Sequence, residues 1–226
     1  MGGAFGEVHG AKLTGLLHAA REIGSIPVLI LFDTGGVRLQ EANAGELAIA
    51  EIMRAVLEAR SAGVKVIGLI GGRSGCYGGG GLIAGCCSAL AVSEPGRIAV
   101  SGPEVIETNR GVEEFDSRDR ALVWRTMGGK HRRLIGAADV FADDNVQDFR
   151  EAALKLLGLI GPFGLDKLKA EQERLADRLR LFGACADAVD IWTAEGIADA
   201  RAVPELPADQ FIALANRIGR TSRDAR

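Results

Sequence analysis

An excess of positive charge is absent from this 226-residue chain. Its 27 Lys and Arg against 30 Asp and Glu leave a net charge of −3, which gives no electrostatic footprint for nucleic acid. Metal-ligand spacing is absent too. The four cysteines, Cys76, Cys86, Cys87 and Cys185, fit no zinc pattern, and the three histidines, His9, His18 and His131, are scattered. Cys86 and Cys87 are adjacent, which disulfide geometry disfavours as a pair, so reduced, buried, structural thiols are expected. No hydrophobic run reads as membrane-spanning: Gly75 to Val92 is apolar, but too rich in glycine and too well flanked by strand patterns. No secretory signal is visible, and a cytoplasmic enzyme is expected. Two common catalytic signatures also fail. Neither glycine-rich turn carries the lysine and Ser/Thr of a Walker loop. Ser74 is not in a G-x-S-x-G elbow and has no His–acid pair beside it.

What the chain does have is a pair of glycine-rich turns, each after an apolar, strand-like run. Asp33-Thr34-Gly35-Gly36-Val37-Arg38-Leu39-Gln40-Glu41 follows Ile26 to Phe32, and Gly75-Cys76-Tyr77-Gly78-Gly79-Gly80-Gly81 follows Val64 to Ile70. Each turn ends where a helical pattern begins. Two such turns can aim backbone N–H groups at one point and hold a developing oxyanion without a catalytic side chain. Close packing against neighbouring backbone is the bland account of these glycines. It suits Gly85, and backbone approach to a ligand suits the two turns better. Gly79, Gly81 and Ala84 formally match the G-x-G-x-x-A of a dinucleotide site. A similar turn already precedes them, however, and Glu94 comes too soon, just before Pro95, to be the ribose acid.

The length suggests one large domain, or one domain with an appendage. With 47% apolar and 25% charged residues the chain reads as an ordinary globular protein. Helical spacing over 8–23 places Leu13, Leu16, Leu17, Ala20 and Ile23 near one face. Ile26 to Phe32 and Val64 to Ile70 read as strands buried on both faces. A helix is expected over 43–61, another over 79–88, and short strands near 89–93 and 97–100. This alternation argues for parallel strands with right-handed crossovers. Residues 103–135 read as short charged helices. Ala138 to Phe141 reads as a last strand, and a helix over 146–158 is capped by Asp144 or Asn145. Residues 165–182 form an amphipathic helix with Leu165, Leu168, Leu175, Leu179 and Phe182 on its apolar face. A final helix over 207–217 precedes a polar tail expected to fray. Met1-Gly2-Gly3-Ala4-Phe5-Gly6 reads as a turn with no strand leading into it, so N-terminal strands are expected to be missing.

From Ile26 to Ile106 the order of motifs resembles the carboxyltransferase branch of the crotonase superfamily. The matching pieces are Gly35-Gly36-Val37-Arg38-Leu39-Gln40-Glu41, Gly78 to Gly81, Ser93-Glu94-Pro95-Gly96-Arg97-Ile98 and Ser101-Gly102-Pro103-Glu104-Val105-Ile106. Within that branch, three stretches are similar to the beta subunits of biotin-independent malonate decarboxylases. They are Gly2 to Gly10, Gly36 to Glu46, and Trp124-Arg125-Thr126-Met127-Gly128-Gly129-Lys130-His131-Arg132. The resemblance covers about residues 1–158, leaving 159–226 as a helical C-terminal extension.

The resemblance implies an α/β crotonase-like fold, a β-β-α spiral superhelix, with oxyanion donors near Gly36 or Val37 and near Gly79 or Gly80. Gly35, Cys76, Tyr77 and Gly78 would line the substrate. Arg38 would neutralise a carboxylate or a carrier phosphate, or else form a structural ion pair. The catalytic glutamate of the superfamily's hydratases would fall near Leu82 or Ile83, where this chain has no acid, while a second hydratase acid position falls at Glu104, its role open. The absence of the first acid fits decarboxylation of a malonyl thioester. The resemblance further implies a phosphopantetheine-type arm supplied by an acyl carrier subunit, with no biotin, metal or redox cofactor bound directly. Its partners would be a gamma subunit of similar fold and an alpha transferase subunit. Lys130-His131-Arg132-Arg133 reads either as a solvated face or as the docking point for the carrier. Two alternatives stay open: a carboxyltransferase subunit of a biotin-dependent acyl-CoA carboxylase, and a non-catalytic scaffold subunit.

Overall fold

A computed structural model describes residues 3–224. Met1 and Gly2 of the opening turn, and the last two residues of the tail, lie outside the described residues. The chain opens with α1 (Glu7–Ile23), whose Leu17 and Ala20 are buried. Gly24 ends it at φ 73°, donating its N–H to Ala20 O at 2.9 Å, the left-handed cap that glycine adopts without strain. Helix α2 (Asn43–Ser61), in which Ala48, Ile52 and Ala55 are buried, packs against α1. The two helices approach so closely that a Cβ on Gly10 would fall 2.5 Å from the Cβ of Ala48.

Strands β1 (Val28–Phe32), β2 (Val66–Ile70), β4 (Ala89–Val92) and β6 (Val140–Phe141) form one sheet in the order β1-β2-β4-β6, every pairing parallel. The expected parallel α/β order is therefore present. β2 is buried along its whole length. β1 is not, and this corrects the expectation of a strand covered on both faces. Its burial alternates, with Leu29 45% and Leu31 77% exposed. A continuous apolar run satisfies a two-sided strand but does not require one, and β1 lies at the sheet edge. A smaller parallel pair, β3 (Cys76–Tyr77) with β5 (Ile98–Ala99), lies apart from the main sheet. Helix α3 (Gly79–Cys86) joins β3 to β4.

Three short helices follow, α4 (Pro103–Arg110), α5 (Arg120–Met127) and α6 (Gly129–Leu134). The start of α6 interlocks with the turn after β4. A Cβ on Gly129 would collide with Ser93 O, and one on Gly96 with Ile70 O. The two stretches Ser93–Gly96 and Gly128–Lys130 are thus one packing unit. Helix α7 (Val146–Leu159) is capped by Asn145, whose Oδ1 accepts from Asp148 N at 2.9 Å, and it covers the sheet through Ala152, Ala153 and Leu156.

Helix α8 (Leu165–Phe182) forms where its period predicts, yet none of its residues is buried. Leu165, Leu168, Leu175 and Leu179 are 65%, 50%, 45% and 73% exposed. An amphipathic period marks a face that seeks cover without saying what supplies it. Helix α9 (Ala188–Ala194), a 3-10 segment (Ala200–Glu205) and α10 (Ala208–Asp224) complete the chain, α10 running past the expected end at 217. Trp192, Val203 and Phe211 join the same core as Leu134 and Phe141, and the Phe141 and Phe211 rings meet edge to face at 4.7 Å. One core therefore crosses the expected boundary at 158/159. Among the described residues, no helix is long and apolar enough to cross a membrane.

Candidate active site at the paired glycine turns

The loop after β1 reaches the loop after β2 through a ladder of short-range bonds. Thr34 N donates to Gly75 O at 2.8 Å, and Tyr77 N donates to Thr34 O at 3.1 Å. Asp33 adds a side-chain tie, its Oδ1 accepting from Ser74 N at 2.7 Å. Cys76 N in turn donates to Arg97 O at 2.7 Å, extending the ladder to β5. These bonds bring Gly36 and Gly78 into contact, backbone against backbone. A Cβ on Gly36 would fall 3.3 Å from Tyr77 O and 3.5 Å from the Cα of Gly78. Both glycines have positive φ, 122° at Gly36 and 54° at Gly78, a region that side-chain-bearing residues rarely enter.

The amides differ in what they can still offer. Gly36 N–H donates to Thr34 Oγ1 at 3.1 Å. Val37 forms a parallel bridge with Phe5, in which Phe5 N donates to Gly36 O and Arg38 N donates to Phe5 O, both at 2.7 Å. In such a bridge Phe5 takes the groups flanking Val37, so the Val37 N–H points to the other side. In the second turn, Gly79 and Gly80 open α3, ahead of its first intrahelical bond from Leu82 N to Gly78 O at 3.1 Å. Helix-opening N–H groups carry the positive end of the helix dipole.

Packing also constrains the glycines of the second turn. A Cβ on Gly79 would meet Ile49 Cδ1 at 2.6 Å, one on Gly80 would strike Thr34 Cγ2, and one on Gly81 would meet Ala99 O at 2.6 Å. Gly85, where packing was the expected reason, has nothing within 4 Å of the same position. The packing reason expected at Gly85 is absent there and present at Gly79, Gly80 and Gly81, where it stands beside the expected approach to a ligand.

Other expected site residues divide. Arg38 is half exposed and forms an ion pair with Glu41 at 3.1 Å. Glu41 Oε2 also accepts from Glu7 N at 2.5 Å. That backbone bond first, and Arg38 second, hold the Glu41 carboxyl below the usual range. This ion pair fits one of the two readings of Arg38 and leaves the other open. Cys76 is fully buried in the main core, and burial raises its thiol pKa far above the usual value. Its thiol is packed in the core and not exposed. Glu104 is exposed in the first turn of α4, close enough to raise the Tyr77 pKa, after burial and against Arg97.

The basic run needs the largest correction. Lys130 and His131 face inward, 7% and 6% exposed, and do not present an open docking patch. Lys130 Nζ donates to Pro204 O at 2.6 Å and Leu206 O at 2.9 Å, and pairs with Glu94 Oε2 at 2.8 Å. A charged residue can be buried where carbonyls and a carboxylate take its protons, and periodicity over four residues could not show those partners. Arg132 and Arg133 are half-buried. Sequence reading also missed Thr34 and Asp33 as the ties between turns; a hydroxyl and a carboxylate at the mouth of a glycine turn are the signal that was available. It missed an apolar groove of about 530 Å³ between β1 and α7 as well, with Asp33, Gly71 and Gly72 at one end.

The architecture is the crotonase-like fold: it matches the transcarboxylase 12S core with a TM-score of 0.57 at 22% identity, over 68% of this chain and 28% of that one. No family model matches the chain. It is 37% identical, over 96% of its length and 74% of the relative's, to a malonyl-S-ACP:biotin-protein carboxyltransferase of Malonomonas rubra. A crystal structure of a Pseudomonas malonate decarboxylase hetero-tetramer in complex with malonate matches at 37% identity with a TM-score of 0.74, covering 84% of this chain and 70% of that one. A carboxyl transferase beta subunit of acetyl-coenzyme A carboxylase from Chloroflexus aggregans is 33% identical over 47% of this chain and 34% of its own. The chain belongs to the family of malonate decarboxylase carboxyltransferase-type subunits.

Proposed function

We propose that the chain is the beta subunit of a biotin-independent malonate decarboxylase that removes CO2 from a malonyl group held as a thioester. The observation that carries this reading is the contact of the two turns at Gly36 and Gly78, with Val37 and the start of α3 beside it. Loss of CO2 pushes two electrons into the thioester carbonyl and leaves an enolate. No base is required. The catalytic demand is a pair of fixed N–H donors where the negative charge develops. In this reading the donors are Val37 or Gly36 on one side and Gly79 or Gly80 on the other, each donor worth roughly 3–4 kcal/mol to the barrier. Val37 is the better donor of the first pair, because Gly36 N–H is held by Thr34. Gly35, Arg38, Tyr77, Gly78 and Glu104 surround the acyl group in this scheme. The enolate carbon then takes a proton from an acid or from water.

Further assignments belong to the same proposal. The catalytic unit lies within residues 1–158, in the cytoplasm. The malonyl group arrives on the phosphopantetheine-type arm of an acyl carrier subunit. A gamma subunit of similar fold completes the site, and an alpha subunit loads malonyl in exchange for acetyl. The hetero-tetramer and hetero-dimer described for Pseudomonas support an assembly of this kind. The Malonomonas relative, whose name specifies a biotin protein as acceptor, favours one second reading: transfer of the carboxyl group to biotin.

The test is to co-express the chain with its partner subunits and follow CO2 release from a malonyl thioester with and without avidin. Release that ignores avidin is the expected result. Carboxyl transfer to added biotinylated carrier, with no free CO2, would establish the second reading. An intact complex whose activity does not change when Gly78 is replaced would show a scaffold subunit instead.

A further inference from the structure

A cavity of about 510 Å³ lies at the edge of the sheet opposite the glycine turns. Every pairing in the main sheet is parallel, so its strands start along one edge and end along the other. The turns follow the ends of β1 and β2. The cavity is lined by Ser88, Ala89, Asp139 and Val140, where β4 and β6 start. Phe141 of β6, Leu156 of α7 and Ala215 of α10, all buried, give it an apolar floor.

The charges that line it are one-sided. Arg133 of α6, Lys155 of α7 and Lys167 of α8 come to the cavity from three different helices, against one lining carboxylate, Asp139. Asp139 has other partners: its Oδ2 accepts from Leu90 N at 2.8 Å, and Arg174 of α8 bears on it as well. The carboxylates one turn from the two lysines are also engaged. Glu171, on which Lys167 acts, accepts from Arg174 Nε at 2.8 Å. Glu151, one turn before Lys155, accepts from Gln147 Nε2 at 2.8 Å. Arg133 donates to Asn216 Oδ1 at 3.4 Å, which ties α6 to α10 at the cavity. Ser88 Oγ accepts from Val66 N at 3.0 Å, which leaves its hydroxyl proton for an acceptor. A cleft lined mainly by one sign of charge focuses its field and concentrates ions of the other sign.

We infer that this cavity is a binding site for a small organic dianion, a phosphate ester or a dicarboxylate. Its charged end meets Arg133, Lys155 and Lys167, and its apolar part lies on Phe141, Leu156 and Ala215. The guanidinium fork and the two ammonium groups supply charge-assisted donors, and both candidate groups are acceptors of that kind. An apolar floor with a few convergent polar groups, in a volume of this size, is the usual form of a small-ligand site. The ligand joins α8, none of whose residues is buried, to α6 and α7. The site lies away from the glycine turns and does not depend on the proposed reaction.

The test uses the full chain and two probes that share an apolar ring, phenyl phosphate and phenylsuccinate, with inorganic phosphate as the ringless comparison. All are titrated by calorimetry at matched ionic strength. A ringed dianion is expected to bind one to one with a Kd of about 1 mM or below. Inorganic phosphate is expected to bind about tenfold more weakly, since it leaves the floor uncovered. Tighter binding of phenyl phosphate assigns phosphate esters, tighter binding of phenylsuccinate assigns dicarboxylates, and either supports the site. Lys155→Gln combined with Lys167→Gln is expected to weaken binding about tenfold or more. Both residues are exposed, so the melting temperature without probe is expected to stay within about 2 °C of the wild type. Lys169→Gln, on α8 but outside the cavity lining, is expected to leave Kd within about twofold. Hydrogen exchange locates the bound probe: amides of 133–141, 155–160 and 165–170 are expected to slow, and those of 35–37 and 78–80 to stay unchanged. Absence of binding by both ringed probes overturns the inference. So does an equal loss in Lys169→Gln and in the double variant, or protection confined to the glycine turns.

Discussion

The Cβ that any other residue would bring to Gly78 would lie 3.3 Å from the Cα of Gly36. Two turns from separate strands are held at backbone contact by the absence of side chains at both positions. Alanine at either position also meets a backbone angle it rarely adopts, φ 54° at Gly78 and 122° at Gly36. Gly78→Ala is expected to destabilise by about 1–3 kcal/mol through that strain. Separation of the turns is expected to reduce decarboxylation about 100-fold or more, since a displacement on the order of 1 Å is enough at a positioned site. Chemical denaturation and turnover of the same preparation check both parts. An activity loss no larger than the fraction unfolded would argue that the turns do not set the geometry of the reaction.

Gly80 and Thr34 offer a cleaner separation of packing from chemistry. A Cβ on Gly80 would strike Thr34 Cγ2, while Thr34 Oγ1 holds the Gly36 N–H at 3.1 Å. Thr34→Ser removes the methyl and keeps the hydroxyl. Gly80→Ala alone is expected to cost about 1–3 kcal/mol by overpacking, and the double variant to recover about 1 kcal/mol or more as coupling energy. A double-mutant cycle in urea measures it. Additive effects would show that the collision relaxes elsewhere. Glycine at 80 would then have to be explained by the ligand side of the turn.

The order of strands and helices was legible because it follows from period and punctuation. The helix over 43–61 and the Asn145 cap needed no tertiary information. What period could not carry was which faces are covered. Leu31 and the leucines of α8 fit a buried pattern and lie exposed, whereas Lys130 and His131 fit an exposed pattern and lie buried. Burial of a lysine depends on partners far along the chain, here Glu94, Pro204 and Leu206. The glycine turns were legible as a pair from their positions after two strands. Their contact was not, because it rests on Thr34 bonding across to Gly75 and Tyr77.

Lys130 joins α6 to the C-terminal segment, and its removal is expected to act there first. Lys130→Met keeps the apolar stem and leaves Pro204 O and Leu206 O without their donor. Hydrogen bonds to a charged group are each worth about 1.5–3 kcal/mol, so a loss on the order of 3 kcal/mol is expected. Glu94→Gln is expected to cost less than about 1 kcal/mol, since the Glu94 side chain is 43% exposed and its ion pair is screened. Hydrogen exchange resolves the two, with amides of 200–218 exchanging faster in Lys130→Met alone. Uniform acceleration across the sheet would mean that Lys130 supports the whole core rather than this junction.

His131 links part of the chain's acid stability to a buried ring. Burial, then Arg132 and Arg178, lower its pKa from 6.5 to about 3, against a smaller opposing effect of Asp187. Its Nδ1 is buried without a partner, and its ring packs on Trp192. In the unfolded chain the imidazole binds a proton below pH 6.5, while in the folded chain it stays neutral down to about 3. The unfolded state therefore binds more protons in that window. Stability from this group is fully present above pH 6.5 and falls as pH drops, by up to about 1.4 kcal/mol per pH unit. His131→Phe preserves a ring against Trp192 and removes the titration. Its unfolding free energy is expected to be flatter than the wild type's between pH 6.5 and about 5, above the range where carboxylates dominate. Urea melts of both proteins at several pH values measure the difference in slope. Parallel curves would show that the ring binds protons equally in the folded and unfolded chains, so that burial does not hold it neutral.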